Sequence, residues 1–335
     1  MSKLVSLMIP TYNAAKTIEQ TLDSILQQSY TNLEIVVIDN ASSDNTGALL
    51  QRYNDPRLKI IINKTNIGAE GNFNKCIDLA KGDYIAIYHA DDIYEPTIVE
   101  EQVTLLERYP EAGGVGTMAT IIDENGAKKG ELQVPTELIS SKPHLYEIKN
   151  ILPVLLKYGN SFLICPSMML RNDVYKNEIK KWREELFKSA ADTDVWLRVA
   201  EKHKLGIINK KLINYRHSTT HWSFQYNYLR TTRADGFLVF DYYVDKYKTL
   251  LTAEDKVNYH FSEKKDEIIR AIHYSLKHEY SNAKLLLKGL LDKDILKLGI
   301  KNIRNVKIYF AGIMLMIGLK IGLGYTIAKI LKKFY

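Results

Sequence analysis

Asp91 and Asp92 stand side by side after the apolar run 84–88, reached through His89 and Ala90. Adjacent carboxylates repel unless a cation or solvent screens them. A divalent ion held by one or two carboxylates, with diphosphate oxygens and water in the remaining positions, is the usual way magnesium or manganese meets a nucleotide. The pair is therefore a candidate site for Mn2+ or Mg2+, where the ion would stabilise a departing diphosphate. A cap on a helix entered near Pro96 suits the same dipeptide about as well.

A second carboxylate, Asp192, opens the helical stretch Asp192-Thr193-Asp194-Val195-Trp196-Leu197-Arg198. At a helix start it can face a cleft and take a proton from an attacking hydroxyl, and it can equally serve as a plain N-cap. Nearer the N-terminus, Pro10-Thr11-Tyr12-Asn13 follows the first apolar run, where a dinucleotide-binding protein would place its glycines, yet no glycine precedes Gly47. Without a glycine-rich turn the backbone cannot close on a pyrophosphate, so a metal is the natural substitute. Asp39 ends the second run and can accept the imide hydrogen of uracil or close an Asx turn, while Asp44 is assigned to structure.

The elements that must position these groups alternate. Short β-branched runs at 4–9, 33–39, 58–62, 84–88 and 115–121 are separated by helical periods at 15–28, 45–53, 69–80 and 97–109. That alternation predicts an α/β fold, a doubly wound and mostly parallel sheet whose ligands bind beyond the carboxyl ends of the strands. Further strands are expected at 161–169 and 205–215, an irregular stretch at 136–149, and helices alone beyond Tyr226.

The formal charge is +7, and the seven cations Lys301, Arg304, Lys307, Lys320, Lys329, Lys332 and Lys333, with no acid among residues 300–335, account for the whole excess. A neutral body with a basic, apolar tail points away from nucleic acid and towards a membrane surface. The tail's apolar runs, 308–319 and 321–328, are interrupted by Lys320, which favours an interfacial or re-entrant helix over a span; a helix pair packed on the protein is the alternative. Cys76 and Cys165 have no partners at zinc-ligand spacing, and the short N-terminal apolar run reads as a strand rather than a signal, so a reducing cytoplasm is expected.

Taken together, the motifs resemble the family 2 glycosyltransferases with the glycosyltransferase A fold over roughly residues 3–225. The resemblance rests on Val5-Ser6-Leu7-Met8-Ile9-Pro10-Thr11-Tyr12-Asn13, on Ile35-Val36-Val37-Ile38-Asp39-Asn40 with Ser42, Ser43, Asp44 and Thr46, on Asn66-Ile67-Gly68, and on the Asp91 and Asp192 segments. It implies a Rossmann-like central sheet flanked by helices with a C-terminal helical extension. By the same likeness Pro10, Thr11, Tyr12, Asn13, Asp39, Asn66 and Asp91 meet a uridine-type nucleotide, Asp91 and Asp92 form the Asp-x-Asp metal element, and Asp192 is the base of an inverting transfer. Tyr215-Arg216-His217 and His221-Trp222-Ser223 resemble the loop that closes over donor and acceptor, where Arg216, His217 or His221 would meet diphosphate and Trp222 would stack on a sugar. Cys165-Pro166-Ser167-Met168-Met169 resembles the strand on the acceptor side.

Two positions depart from the family pattern: His89 where many members are acidic, and Ala191 where many have Glu. The first leaves the remaining carboxylates to carry the metal; the second removes a charge that would raise the pKa of Asp192. The implied organisation is a nucleotide-sugar-binding catalytic domain at 1–225, a helical extension at 226–300 and a membrane-associating tail at 301–335. The implied acceptor is a saccharide, lipid-linked, at the cytoplasmic face of the cell membrane. Competing readings are a nucleotidyltransferase, which would want a glycine-rich basic phosphate loop, and an inactive membrane-bound scaffold of the same fold.

Overall fold

The computed structural model describes residues 2–139, 144–217, 228–301 and 303–334. Its chain forms two compact units, residues 1–152 with 160–218 and residues 153–159 with 219–335. The first begins with β1 (Val5–Thr11), α1 (Ile18–Leu26), β2 (Leu33–Asp39), α2 (Thr46–Leu50), β3 (Leu58–Ile62), α3 (Gly68–Leu79), β4 (Tyr84–Ile87), β5 (Ile93–Tyr94) and α4 (Ile98–Arg108). There follow β6 (Ala112–Ile122), β7 (Lys128–Glu131), α5 (Thr136–Ile139), β8 (Leu145–Tyr146), α6 (Ile148–Tyr158), whose residues from Pro153 on count with the second unit, β9 (Met169–Arg171), α7 (Glu184–Phe187), α8 (Ala191–Lys202) and β10 (Lys204–Arg216).

Strands β1 and β2 are apolar at consecutive positions because both faces of the sheet are covered, and nearly every residue in them is buried. Helix α1 turns Ile18, Leu22 and Ile25 inward at helical spacing. The sheet order is β3-β2-β1-β4-β9-β6-β10-β5, with β7 on β6 and β8 on β10. Register sets Thr11 opposite Asp39 and Asp39 opposite Ile62, so the turns leaving β1, β2 and β3 emerge side by side.

One expected strand is corrected. Most of 161–169 is not strand: Cys165–Ser167 is a 3-10 turn, and only Met169–Arg171 enters the sheet, antiparallel to both β4 and β6. Pro166 has no N–H to give a ladder, and it sits in that turn. A Cβ at Gly114 of β6 would collide with the Leu170 side chain, so the bare backbone lets β9 seat between its neighbours.

The second unit holds α9 (Gly236–Lys246), α10 (Ala253–Leu276), α11 (Tyr280–Leu286), α12 (Lys293–Gly299), α13 (Ile303–Lys320) and α14 (Gly324–Leu331). Thr252 and Asp255 form a reciprocal capping box that starts α10. Phe261, Ile268 and Ile272 of α10 share one core with Ile308, Ala311, Leu315 and Leu319 of α13 and Ala328 and Leu331 of α14. Residues 301–335 thus contribute to the core of this unit. Helix α13 is also apolar on its outer side, where Phe310, Met314 and Ile317 are about half exposed. Among the described residues no helix is long and apolar enough to cross a membrane.

Leu315 is fully buried in that core. Its replacement by Ala is expected to destabilise the protein by about 2–5 kcal/mol in urea unfolding followed by circular dichroism. A Met314→Ser change, on the outer side, is expected to stay within about 0.5 kcal/mol. Equal costs would show that α13 is not packed in this orientation.

Candidate active site

The segment leaving β4 builds an acidic corner. The backbone N–H of His89 donates to Tyr94 Oη at 2.8 Å, and the Tyr94 ring stacks on Tyr88 at 3.9 Å, which fixes the path of the turn. Thr21 of α1 donates its hydroxyl to the Asp92 carbonyl at 2.8 Å. Ligand atoms of His89, Asp91 and Asp92 lie within 4.8 Å of one another. Asp92 is fully buried; its Oδ1 accepts the Arg216 backbone N–H at 2.8 Å, while Oδ2 has no hydrogen-bond partner. Burial, and then the charge of Asp91, push the Asp92 carboxyl well above the usual carboxylate range. A buried oxygen without a donor and a carboxyl that resists ionising are both relieved by a cation, so this donor set fits a divalent metal. It also contains an imidazole, which reading the chain by carboxylates alone had left out.

The turns after β1, β2 and β3 are tied to one another. Asn13 takes a left-handed conformation at φ 49°. Its N–H donates to Ser42 Oγ at 2.8 Å, and its Oδ1 accepts from the Ser43 N–H at 2.9 Å. Ala15 N–H donates to Asp44 Oδ2 at 3.1 Å, which bears out a structural use of Asp44. Asp39 is buried, and its Oδ1 accepts from the Ser42 N–H at 3.1 Å and from the Ser42 hydroxyl. Thr11, the last residue of β1, is buried with its hydroxyl on the Ile9 carbonyl at 3.1 Å, Pro10 precedes it in the strand, and Tyr12 stands half exposed at the same edge.

Asn66 belongs to an amide network that the sequence did not reveal. Its Oδ1 accepts from Asn40 Nδ2 at 2.9 Å and from the Gly68 N–H at 2.8 Å. Asn40 Oδ1 accepts from Asn63 Nδ2 at 2.9 Å, Asn63 Nδ2 also donates to Asn72 Oδ1 at 3.2 Å, and Asn72 Nδ2 reaches the Ile38 carbonyl at 2.9 Å. The only hint in the chain was the density of asparagine after β2 and β3.

Asp192 lies in the first turn of α8, partly accessible yet deep among protein atoms. Its Oδ1 accepts the Thr193 N–H at 2.6 Å, and burial raises its pKa to about 6. Burial alone therefore does what a neighbouring Glu would do, although Ala191 carries no charge. Tyr215 marks how close the carboxylates come: burial raises its phenol first, and the charges of Asp92, Asp91 and Asp192 all add to the rise. Burial likewise raises the Cys165 thiol, with Asp192 and Asp92 adding, so Cys165 lies by both carboxylate sets rather than in a plain strand. Helix α8 is anchored two residues on by fully buried Asp194, paired with Arg183 and, at 3.0 Å, with Arg198.

Arg216 is buried, and its guanidinium donates to the carbonyls of Asp91 at 2.8 Å, Asp123 at 3.1 Å and Glu124 at 3.0 Å and to Gln20 Oε1 at 2.8 Å. These bonds place it beneath the acidic corner as a brace, where sequence reasoning had put a diphosphate contact. His217 is exposed, with its ring edge-on to Tyr215 at 5.0 Å. His221 and Trp222 lie outside the described residues.

Residues 6–178 match the family model described as glycosyl transferase family 2. An uncharacterized glycosyltransferase of Methanocaldococcus jannaschii is 32% identical over 218 residues, which are 64% of this chain and 70% of that one. The Escherichia coli UDP-Glc:alpha-D-GlcNAc-diphosphoundecaprenol beta-1,3-glucosyltransferase WfgD is 38% identical over 103 residues, 31% of this chain and 41% of its own. Among solved structures, S. aureus TarS with UDP-GlcNAc overlays with a TM-score of 0.54 at 18% identity, covering 84% of this chain and 90% of that one. The Pyrobaculum calidifontis mannosyltransferase PcManGT, with GDP-Man and Mn2+, overlays with a TM-score of 0.53 at 17% identity, covering 100% and 88%. The structural likenesses speak for the fold, and the family match sets the nucleotidyltransferase reading aside. With its central sheet, the acidic corner after β4 and the matching residues 6–178, this chain belongs to glycosyl transferase family 2 and has the glycosyltransferase A fold.

Proposed function

We propose that the protein transfers a sugar, with inversion, from a UDP-sugar to a hydroxyl of a lipid-linked saccharide in surface polysaccharide or lipopolysaccharide assembly. The observation that carries this reading is the corner after β4, where ligand atoms of His89, Asp91 and Asp92 lie within 4.8 Å of one another and buried Asp92 Oδ2 has no hydrogen-bond partner; Asp192, raised to about 6 by burial, supports it as a carboxylate suited to a base. The UDP-glucose donor and diphosphoundecaprenol-linked acceptor in the name of WfgD support the donor and acceptor classes.

In this reading the nucleotide lies across the carboxyl ends of β1 to β3. Asp39 holds its turn through Oδ1, which leaves Oδ2 for the imide hydrogen of uracil. Half-exposed Tyr12 covers the base, Thr11 and Asn66 line the same edge, and Pro10 and Asn13 set the turn. Asp91 and Asp92 hold a divalent ion, Mn2+ or Mg2+, which when bound supplies Lewis-acid stabilisation of charge on the departing diphosphate. Asp192 accepts the proton of the acceptor hydroxyl as its oxygen bonds to the anomeric carbon and the bond from that carbon to the diphosphate breaks. His217 and the segment holding His221 and Trp222 are assigned to the acceptor side.

The outer side of α13 is assigned to the membrane that presents such an acceptor. Phe310, Met314, Ile317 and Ile321 recur at helical spacing and are exposed, as are Lys307 and Lys320, and no acid follows Asp294. That composition fits a helix lying in the headgroup region of an anionic leaflet.

Asp192→Asn is expected to lower kcat by about 10²–10⁴-fold while UDP-sugar binding survives. A variant that keeps the full transfer rate would put the base elsewhere. Because only the ionised carboxylate accepts a proton, kcat/KM of the native protein should rise with pH through about 6, and a profile flat across that value counts against the assignment. For the membrane, Phe310→Ser with Ile317→Ser should weaken binding to anionic vesicles by roughly 100-fold or more, at about 1.5–3 kcal/mol per side chain. Vesicle flotation equal to wild type would rule out this face.

A further inference from the structure

His89 stands in the acidic corner where a third carboxylate is common in the family pattern, and the structure fixes its surroundings. Its ring nitrogen and the carboxylate oxygens of Asp91 and Asp92 lie within 4.8 Å of one another. The turn that carries it is held by the 2.8 Å bond from its N–H to Tyr94 Oη. Its ring sits edge-on against Phe73 at 5.8 Å, and Phe73 is in turn packed on Trp182 at 4.5 Å. Independently, buried Asp92 Oδ2 has no hydrogen-bond partner, which marks the same spot as one made for a positive ligand.

Resting on the reading that a divalent ion assists diphosphate departure, we propose that His89 is a nitrogen ligand of that ion, so that a one-imidazole, two-carboxylate site selects a transition-metal ion such as Mn2+, Co2+ or Zn2+ over Mg2+. The chemistry follows from the donors. Mg2+ demands oxygen and sheds its water reluctantly, so an imidazole in the set gives it little. Later divalent ions gain from nitrogen, in the order of the first-row series. Packing against Phe73 limits the ring's alternatives, which lowers the entropy lost when it ligates. A carboxylate in its place would put a third negative charge within 4.8 Å of the Asp91 and Asp92 carboxylates. Imidazole adds a donor without that charge.

The test is binding of metal alone to the full chain, with and without UDP, for wild type, His89→Ala and His89→Asp. Titration with Mn2+ followed by electron paramagnetic resonance gives affinities, and pulsed measurements on the bound Mn2+ detect nitrogen-14 coupling. Competition with Mg2+ gives selectivity. The expected result is a nitrogen coupling in wild type that both variants lose, with Mn2+ affinity down roughly tenfold or more in His89→Ala. His89→Asp should rescue Mg2+ binding and lower the Mn2+ to Mg2+ preference by about tenfold. Mn2+ bound without a nitrogen coupling, or selectivity unchanged in His89→Asp, overturns the proposal while leaving an oxygen-only metal site in place. If Mn2+ does not bind the wild-type chain under either condition, both this proposal and the metal-assisted reading fail.

Discussion

The geometry of the site depends on one buried arginine. Arg216 ends β10, yet its guanidinium bridges the carbonyls of Asp91, Asp123 and Glu124 and the side chain of Gln20, while its own N–H is bonded to Asp92 Oδ1. The planar fork reaches several acceptors at once, which an ammonium on a flexible stem would not do as well. Through it the turn after β4, the turn after β6 and helix α1 are held to the end of a single strand. A buried cation tolerates its desolvation only when every donor is used, and here the acceptors are mainly carbonyls fixed by the fold. The acidic corner can therefore crowd two carboxylates and an imidazole without falling apart.

Burial does two different jobs in this unit. At Asp92 it combines with the charge of Asp91 to disfavour ionisation, a cost that a cation would relieve. At Asp192, whose carboxylate accepts from the Thr193 N–H and hydroxyl, the same desolvation moves the carboxyl up to about 6. Two carboxylates of the same chemistry are thus set apart by what surrounds them, as the proposed metal and base roles require. Asp194, two residues on, shows the third outcome: fully buried but paired with two arginines, it serves to anchor α8.

The asparagine network shows how the edge beyond β1 to β3 is built without a glycine-rich turn after β1. Asn40, Asn63, Asn66 and Asn72 exchange amide bonds across the turns after β2 and β3 and the start of α3. Amide bonds that link residues 40, 63, 66 and 72 hold these turns in one arrangement. Gly68, at φ 78°, supplies the left-handed residue that lets α3 begin directly behind Asn66.

Much of the fold was legible because period and burial are local signals. The runs at 33–39 and 58–62 became β2 and β3 without change: β2 is buried along nearly its whole length, while β3, at the sheet edge and carrying Lys59, was marked by its β-branched residues. Asp39, Asp91, Asp92 and Asp192 were legible as candidates because polar residues just beyond such runs emerge at the binding edge. The short antiparallel β9 was not, because three residues behind a proline carry no period and their place depends on Gly114 across the sheet. Nor was the work of Arg216, whose bond to Gln20 joins residues 196 apart in the chain. The sequence by itself determined the family, the order of the elements and which carboxylates face the edge, for these follow from residue type and spacing. Only the tertiary structure decided that burial pushes Asp192 up to about 6, that His89 joins the aspartates and that Arg216 braces them, because desolvation and long-range hydrogen bonds exist only once distant segments are packed together.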